Sequence, residues 1–229
     1  MLKNLFDKIL DFIYPTKCAV CNETIIKREN QICEKCKKEL KTDDITTYID
    51  MGDGKKIACF SPFEYSGKIK KSILRFKFKG YKNYSKFFAE VMAKGIAQKF
   101  GNIKFDCITY VPLRPERKRS RGYNQSECIA SDISSIINIP CEELISKIKS
   151  NHIQYELDFS SRIENVKGVY AVKNEQSIKN KIILLCDDII TTGSTLRECA
   201  KTLLNGGAKE VHCCAAASVF KQDFLGKRQ

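Results

Sequence analysis

The stretch Lys181-Ile-Ile-Leu-Leu-Cys-Asp-Asp-Ile-Ile-Thr-Thr-Gly-Ser-Thr195 constrains this chain more than any other. Ile182 to Cys186 is a short apolar run of the kind that forms a strand buried on both faces, and such strands belong to parallel sheets covered by helices. It delivers two adjacent carboxylates, Asp187 and Asp188, to its C-terminal end. Gly193 can adopt backbone angles closed to other residues. The hydroxyls of Thr191, Thr192, Ser194 and Thr195, with the N–H groups of a helix starting near Ser194, can surround an anion. The pattern is a phosphate cradle beside a diol-binding acid pair. It is not a Walker A loop, because no Gly-Lys-Ser/Thr follows the turn.

A second constraint lies near the other end. Cys18-Ala-Val-Cys21 and Cys33-Glu-Lys-Cys36 each present two thiolates, and the eleven residues between them can fold back as a hairpin. Four sulfurs close a tetrahedral zinc site with no position left for water, so the expected zinc is structural. Redox-active pairs would need a thioredoxin-like surround that the sequence lacks. The other eight cysteines, at 59, 107, 128, 141, 186, 199, 213 and 214, mostly fall inside apolar patterns and read as small core residues.

Charge is not spread evenly. Residues 61–125 carry 16 basic and 4 acidic side chains, which is 12 of the chain's net +13. Confinement to one block points to a phosphate-bearing partner, a nucleic acid or a pyrophosphate. Within the block, Ile69, Ile73, Leu74, Phe76 and Phe78 interleave with lysines and Arg75 in a helix running to Gly80. Lys77 and Lys79 sit at its end. A second helix follows to about Phe100, where Phe87 and Phe88 read as core and Tyr81 and Tyr84 as candidates for stacking on bases. Phe105 to Val111 reads as a strand. It opens into an arginine-rich loop whose Arg117, Arg119 and Arg121 could grip a pyrophosphate or a DNA backbone at the ligand-binding edge of an open sheet.

Strands over 166–172, 181–186 and 211–219 alternate with helices near 124–138 and 194–205, predicting an α/β fold with a doubly wound, mainly parallel sheet. The expected organisation is an amphipathic helix over 1–14, a zinc ribbon over 15–42, a polar connector over 43–56 and the α/β domain over 57–229. The first helix carries Lys3, Asp7, Lys8 and Asp11 among its apolar residues, so it is not a signal peptide; it could lie on the folded body, a partner or a membrane surface. No run is long enough to cross a bilayer, and the expected location is the cytoplasm. His152 and His212 lack partners at motif spacing, so no histidine chemistry is expected.

The 181–195 stretch matches the phosphoribosyl pyrophosphate motif of the type I phosphoribosyltransferases. Val111-Pro112-Leu113, Arg117, Arg119, Arg121-Gly-Tyr-Asn-Gln125, then Gln154, Leu157, Arg162 and Asn165-Val166, with the four-cysteine ribbon in front, resemble the ComF family of competence proteins. Tyr65, Gly67, Ile69 and Lys77-Phe78-Lys79-Gly80 fit the same pattern. Two positions depart from it: Asn151 stands where many members have Thr, and Lys147 or Lys149 stands where Arg is usual, which loosens any phosphate grip there.

The resemblance implies a phosphoribosyltransferase-type domain and a role in DNA uptake and natural transformation. Asp187 and Asp188 would serve the ribose hydroxyls as candidate catalytic residues, residues 191–195 the 5-phosphate, and Mg²⁺ with the basic loop the pyrophosphate. Single-stranded DNA, a nucleotide and a helicase-like competence protein are the implied partners. An active transferase acting on a nucleobase is the alternative, although no acceptor site is recognisable.

Overall fold

The computed structural model describes residues 16–25, 31–52, 54–148 and 168–220. The helix expected over 1–14, His152, and the positions at 149, 151, 154, 157, 162, 165 and 166 lie outside the described residues.

In chain order the elements are helix α1 (Glu34–Glu39), strands β1 (Ile45–Asp50) and β2 (Lys56–Ser61), helices α2 (Gly67–Phe78) and α3 (Tyr84–Phe100), and β3 (Cys107–Tyr110). There follow α4 (Pro115–Arg121), α5 (Gln125–Ile137), β4 (Ile145–Lys147), β5 (Tyr170–Val172), β6 (Ile182–Ile190), α6 (Ser194–Asn205) and β7 (Glu210–Ser218). Five strands form one sheet in the order β1-β2-β7-β6-β3. β2, β7, β6 and β3 run parallel, and β1 pairs antiparallel with β2 at the edge. The order of strands in space differs from their order in the chain, as the doubly wound expectation requires.

Alternation along β6 divides the core between two faces. Leu184 and Cys186 join Phe60, Ile108 and the inner sides of α2, α3 and α5, whereas Ile183 and Leu185 join Ile49, Leu196 and Leu203 beneath α6. On the first face α3 approaches β2 so closely that a Cβ at Gly95 would collide with the ring of Phe60.

Three expectations about secondary structure need correction. Residues 45–50, expected in a connector, are the edge strand β1: Ile45 and Ile49 are buried while their neighbours face outward, a period-2 pattern that Asp43, Asp44 and Asp50 obscure. The arginine-rich segment is not a loop but the seven-residue helix α4, started by Pro115 and ended by Gly122 in the left-handed conformation (φ 79°). Tyr170–Val172 does not join the main sheet; it pairs antiparallel with β4 in a separate two-stranded sheet.

The ribbon is fused to the α/β body. Cys18, Ala19, Val20, Ile25 and Cys36 belong to the same buried cluster as Phe76 and Phe88. Three backbone carbonyls of the first knuckle are capped from α2 and α3: Ser72 donates to Ala19, Arg75 donates to Val20 at 2.7 Å, and Tyr84 donates to Cys18 at 3.1 Å. Tyr84 is therefore fully buried and cannot stack on a base, contrary to expectation. It stacks on half-buried Tyr81 instead, with ring centroids 5.0 Å apart.

Candidate functional site

The site forms at the C-terminal edge of the sheet, where β6 outruns its neighbour. β3 pairs with β6 only as far as Cys186, so Asp187 and Asp188 lie beyond the end of that pairing while β7 continues to support them through Ile190. The acids are thus held by a rigid strand yet open to α2 and α5.

Each acid has its own partner. Asp188 Oδ1 accepts a 2.9 Å ion pair from Lys77 Nζ on the last turn of α2, with both side chains largely buried. Asp187 Oδ1 accepts from Ser126 Oγ at 2.8 Å and from the Asp188 N–H at 2.8 Å. Burial, and then the neighbouring Asp188 charge, push the Asp187 carboxyl up to about 7, with Lys77 and Ser126 opposing the rise.

Ser126 reaches Asp187 because Asn124 caps α5. Asn124 Oδ1 accepts from the Ser126 N–H at 3.1 Å, and its Nδ2 donates to Val111 O at 3.0 Å, tying the cap to the strand end. Tyr123 packs on Phe76 with centroids 5.6 Å apart and donates to the Phe76 carbonyl. The Arg-Gly-Tyr-Asn-Gln run is therefore scaffolding: it stops α4, anchors α2 and starts α5 at the register that serves Asp187.

The cradle follows β6 directly. Gly193 turns through the left-handed region (φ 75°) into α6. Thr192 Oγ1 and Ser194 Oγ lie 2.9 Å apart, and Thr192 Oγ1 also accepts from the Ser194 N–H at 3.3 Å. Thr191 is exposed, Thr195 half-buried and Ser194 buried. A 12-residue helix starting under these hydroxyls adds its N-terminal dipole, so the loop can hold an anion.

The basic residues divide. Lys77 is part of the acid site, whereas Lys79 is exposed past the end of α2. Arg117 and Arg119 are exposed on α4, while Arg121 is half-buried, donates to Gln125 Oε1 at 3.0 Å and lies over the Phe78 ring at 5.0 Å. Burial lowers the Arg121 pKa, and Arg117 adds to this while Asp188 opposes it. Lys147 on β4 is lowered by burial and then by the Arg114 and Arg117 charges, and lies over the Tyr170 ring at 5.3 Å. His212 is packed between Phe100 and Phe105, and its Nε2 lies 3.3 Å from Glu210 Oε2, an acid partner two positions away that the sequence expectation did not include.

Cys18, Cys21, Cys33 and Cys36 bring all four Sγ atoms within 4.8 Å of one another. N–H groups of Cys21 and Cys33 point at Cys18 Sγ, at 3.5 and 3.3 Å, and that of Cys36 at Cys33 Sγ at 3.5 Å. Thiolates held this way suit a four-coordinate structural zinc ion. Of the eight remaining cysteines, six are buried and two half-buried, and all twelve are free.

The phosphoribosyl transferase domain model matches residues 89–223, more than half of the chain, and the double zinc ribbon domain model matches residues 9–46. Competence protein ComFC of Streptococcus pneumoniae is 29% identical over 200 residues, covering 85% of this chain and 84% of that protein. The chain belongs to the ComF family. Competence protein F of Haemophilus influenzae is 34% identical over 110 residues, and DNA utilization protein YhgH of Escherichia coli K12 is 31% identical over 107. These matches span only 47% and 46% of those two relatives' lengths.

Sequence reasoning missed Ser126, and it read Phe78 among the apolar residues of its helix, whereas the ring is exposed. Nothing local to Ser126 announces its acid partner, which is 61 positions away. The spacing Asn124-x-x-Glu127 does announce a helix start, which would have placed Ser126 in the first turn beside the strand end.

Proposed function

We propose that this ComF-family protein is a cytoplasmic component of DNA uptake and natural transformation that binds a phosphoribosyl pyrophosphate-like ligand or nucleotide at the β6 edge and single-stranded DNA along its basic face. The observation that carries the reading is the junction of Lys77–Asp188, Ser126–Asp187 and the Thr192-Gly193-Ser194 turn on one strand end. In this reading the turn and the start of α6 take the 5-phosphate, and the two acids face the ribose hydroxyls. Arg117 and Arg119 on α4 face outward, suited to a nucleic-acid backbone. The names of the competence and DNA-utilization relatives support the assignment to DNA uptake. A helicase-like competence partner is part of the same proposal, with the ribbon as its docking element.

The acid pair offers hard carboxylate oxygens, the donor type that holds Mg²⁺ together with substrate phosphates. When bound, Mg²⁺ would neutralise pyrophosphate charge. Turnover is the second reading, favoured by the placement of Asp187: its carboxyl, held by Ser126 at 2.8 Å on the strand end that leads into the cradle, can accept a proton from a nitrogen nucleophile.

The test is thermal melting of the full chain with phosphoribosyl pyrophosphate and Mg²⁺. A saturating ligand raises the melting temperature of the wild type and not of Asp187→Ala/Asp188→Ala. Equal shifts in both proteins would remove the acid pair from the site.

A further inference from the structure

Phe78 is 63% exposed, the most exposed large apolar side chain among the described residues. It is not at a random place on the surface. It follows Lys77, whose ammonium pairs with Asp188, and one face of its ring is covered by the Arg121 guanidinium at 5.0 Å. Arg121 is itself held by Gln125 and lies close enough to Asp188 for that carboxylate to act on its charge. A largely exposed aromatic ring next in the chain to the lysine that pairs with Asp188, and backed on one face by a fixed cation, has the form of a stacking surface for a planar ligand group. A phenyl ring has no hydrogen-bonding edge, so it selects for a flat π-system without reading its sequence.

We infer that Phe78, backed by Arg121, is the platform on which a nucleobase stacks when a nucleoside 5′-phosphate unit occupies the Asp187–Thr195 site. The inference rests on the phosphoribosyl reading and deepens it by naming the ligand class: a unit bearing a base, whether a free nucleotide or the 5′-phosphorylated end of a strand. Arg121 orients the ring from behind and is a positioning residue.

The experiment measures binding of adenosine 5′-monophosphate, a 5′-phosphorylated oligothymidylate and base-free ribose 5-phosphate to the full chain. Wild type is expected to bind the nucleotide at least about tenfold more tightly than ribose 5-phosphate, the lower range of what a base stacked on an aromatic ring contributes. Phe78→Ala should erase that margin while leaving ribose 5-phosphate affinity within about twofold. Phe78→Trp should restore the margin. The chain has no tryptophan, so the indole fluorescence of that variant should be quenched by a base-bearing ligand and not by ribose 5-phosphate. Quenching by the mononucleotide alone identifies a free nucleotide as the source, and quenching by the oligonucleotide identifies a strand end. A margin that survives Phe78→Ala, or an indole that no base quenches, overturns the inference. Ribose 5-phosphate bound as tightly as the nucleotide sinks the platform alone, whereas failure to bind either ligand or phosphoribosyl pyrophosphate sinks the phosphoribosyl reading with it.

Discussion

Lys77 Nζ and Asp188 Oδ1 lie 2.9 Å apart, joining the end of α2 to the strand that carries the acid pair. The neighbouring acid, Asp187, is held by a hydroxyl and a backbone N–H instead. Two adjacent carboxylates thus have different electrostatic surroundings. Lys77→Met removes the charge and keeps the stem, leaving Asp188 without its ion-pair partner in a site where it is only 12% exposed, with Arg121 the remaining nearby cation. The expected cost is about 1–3 kcal/mol, less than for a fully buried pair because water still reaches the site. Urea unfolding of the variant measures it, and an unchanged midpoint would show that the pair contributes no net stability.

Asp187 sets a pH dependence. Its carboxyl is pushed up to about 7 in the folded chain, against 3.8 as the ordinary value. Between those values the folded state binds the extra proton, so this residue's contribution to stability declines as pH rises from about 4 to about 7 and is level above. Asp187→Asn should remove that decline, so thermal unfolding of the variant falls less than wild type across the window. Ligand binding has the opposite sign: a Mg²⁺-bearing ligand favours the carboxylate, so its affinity rises through about pH 7. Calorimetry in buffers of different ionisation heat should detect a proton release of about one half near pH 7, approaching one as the pH is lowered toward about 6.

Zinc should be felt at the phosphate site. Ser72 and Arg75 grip the Ala19 and Val20 carbonyls, and Lys77, two residues beyond Arg75 on the same helix, reaches Asp188. Cys36→Ser, or chelation, releases the knuckle and loosens α2. The melting temperature is expected to fall by more than about 5 °C, and affinity for phosphoribosyl pyrophosphate to fall with it. Full ligand affinity in zinc-free protein would separate the two sites.

Arg117 and Arg119, the two exposed arginines of α4, changed together to Ala should weaken single-stranded DNA binding and flatten its salt dependence. Each lost contact to a single strand reduces the log–log slope by about 0.7, so two reduce it by roughly 1.4. Titrations at three salt concentrations give the slope directly. An unaltered slope would move the DNA path away from α4.

The strand run 182–186, the Gly193 turn and the cysteine spacing were legible because each is a local pattern whose chemistry its own residues complete. β1 was not, since its buried Ile45 and Ile49 are separated by Thr-Thr-Tyr and flanked by acids, and only its pairing with β2 makes a strand of it. Tyr84 reads as a surface tyrosine among lysines, and nothing nearby in the chain reveals the Cys18 carbonyl that buries it 66 positions away. The acid pair was visible as a motif; the distinction between its members depends on Lys77 and Ser126, which tertiary packing delivers.

The capping of the first knuckle's carbonyls by α2 and α3 has a practical meaning for anyone cutting the gene. Ile73, Phe76 and Tyr84 are fully buried in a cluster that includes Cys18, Ala19 and Val20. A fragment beginning after the ribbon would carry part of its own interior on the outside, an adhesive surface rather than a trimmed enzyme-like core. The ribbon and the phosphoribosyl transferase domain match two sequence families but share one buried cluster, so mutations in either should be scored first for solubility of the whole.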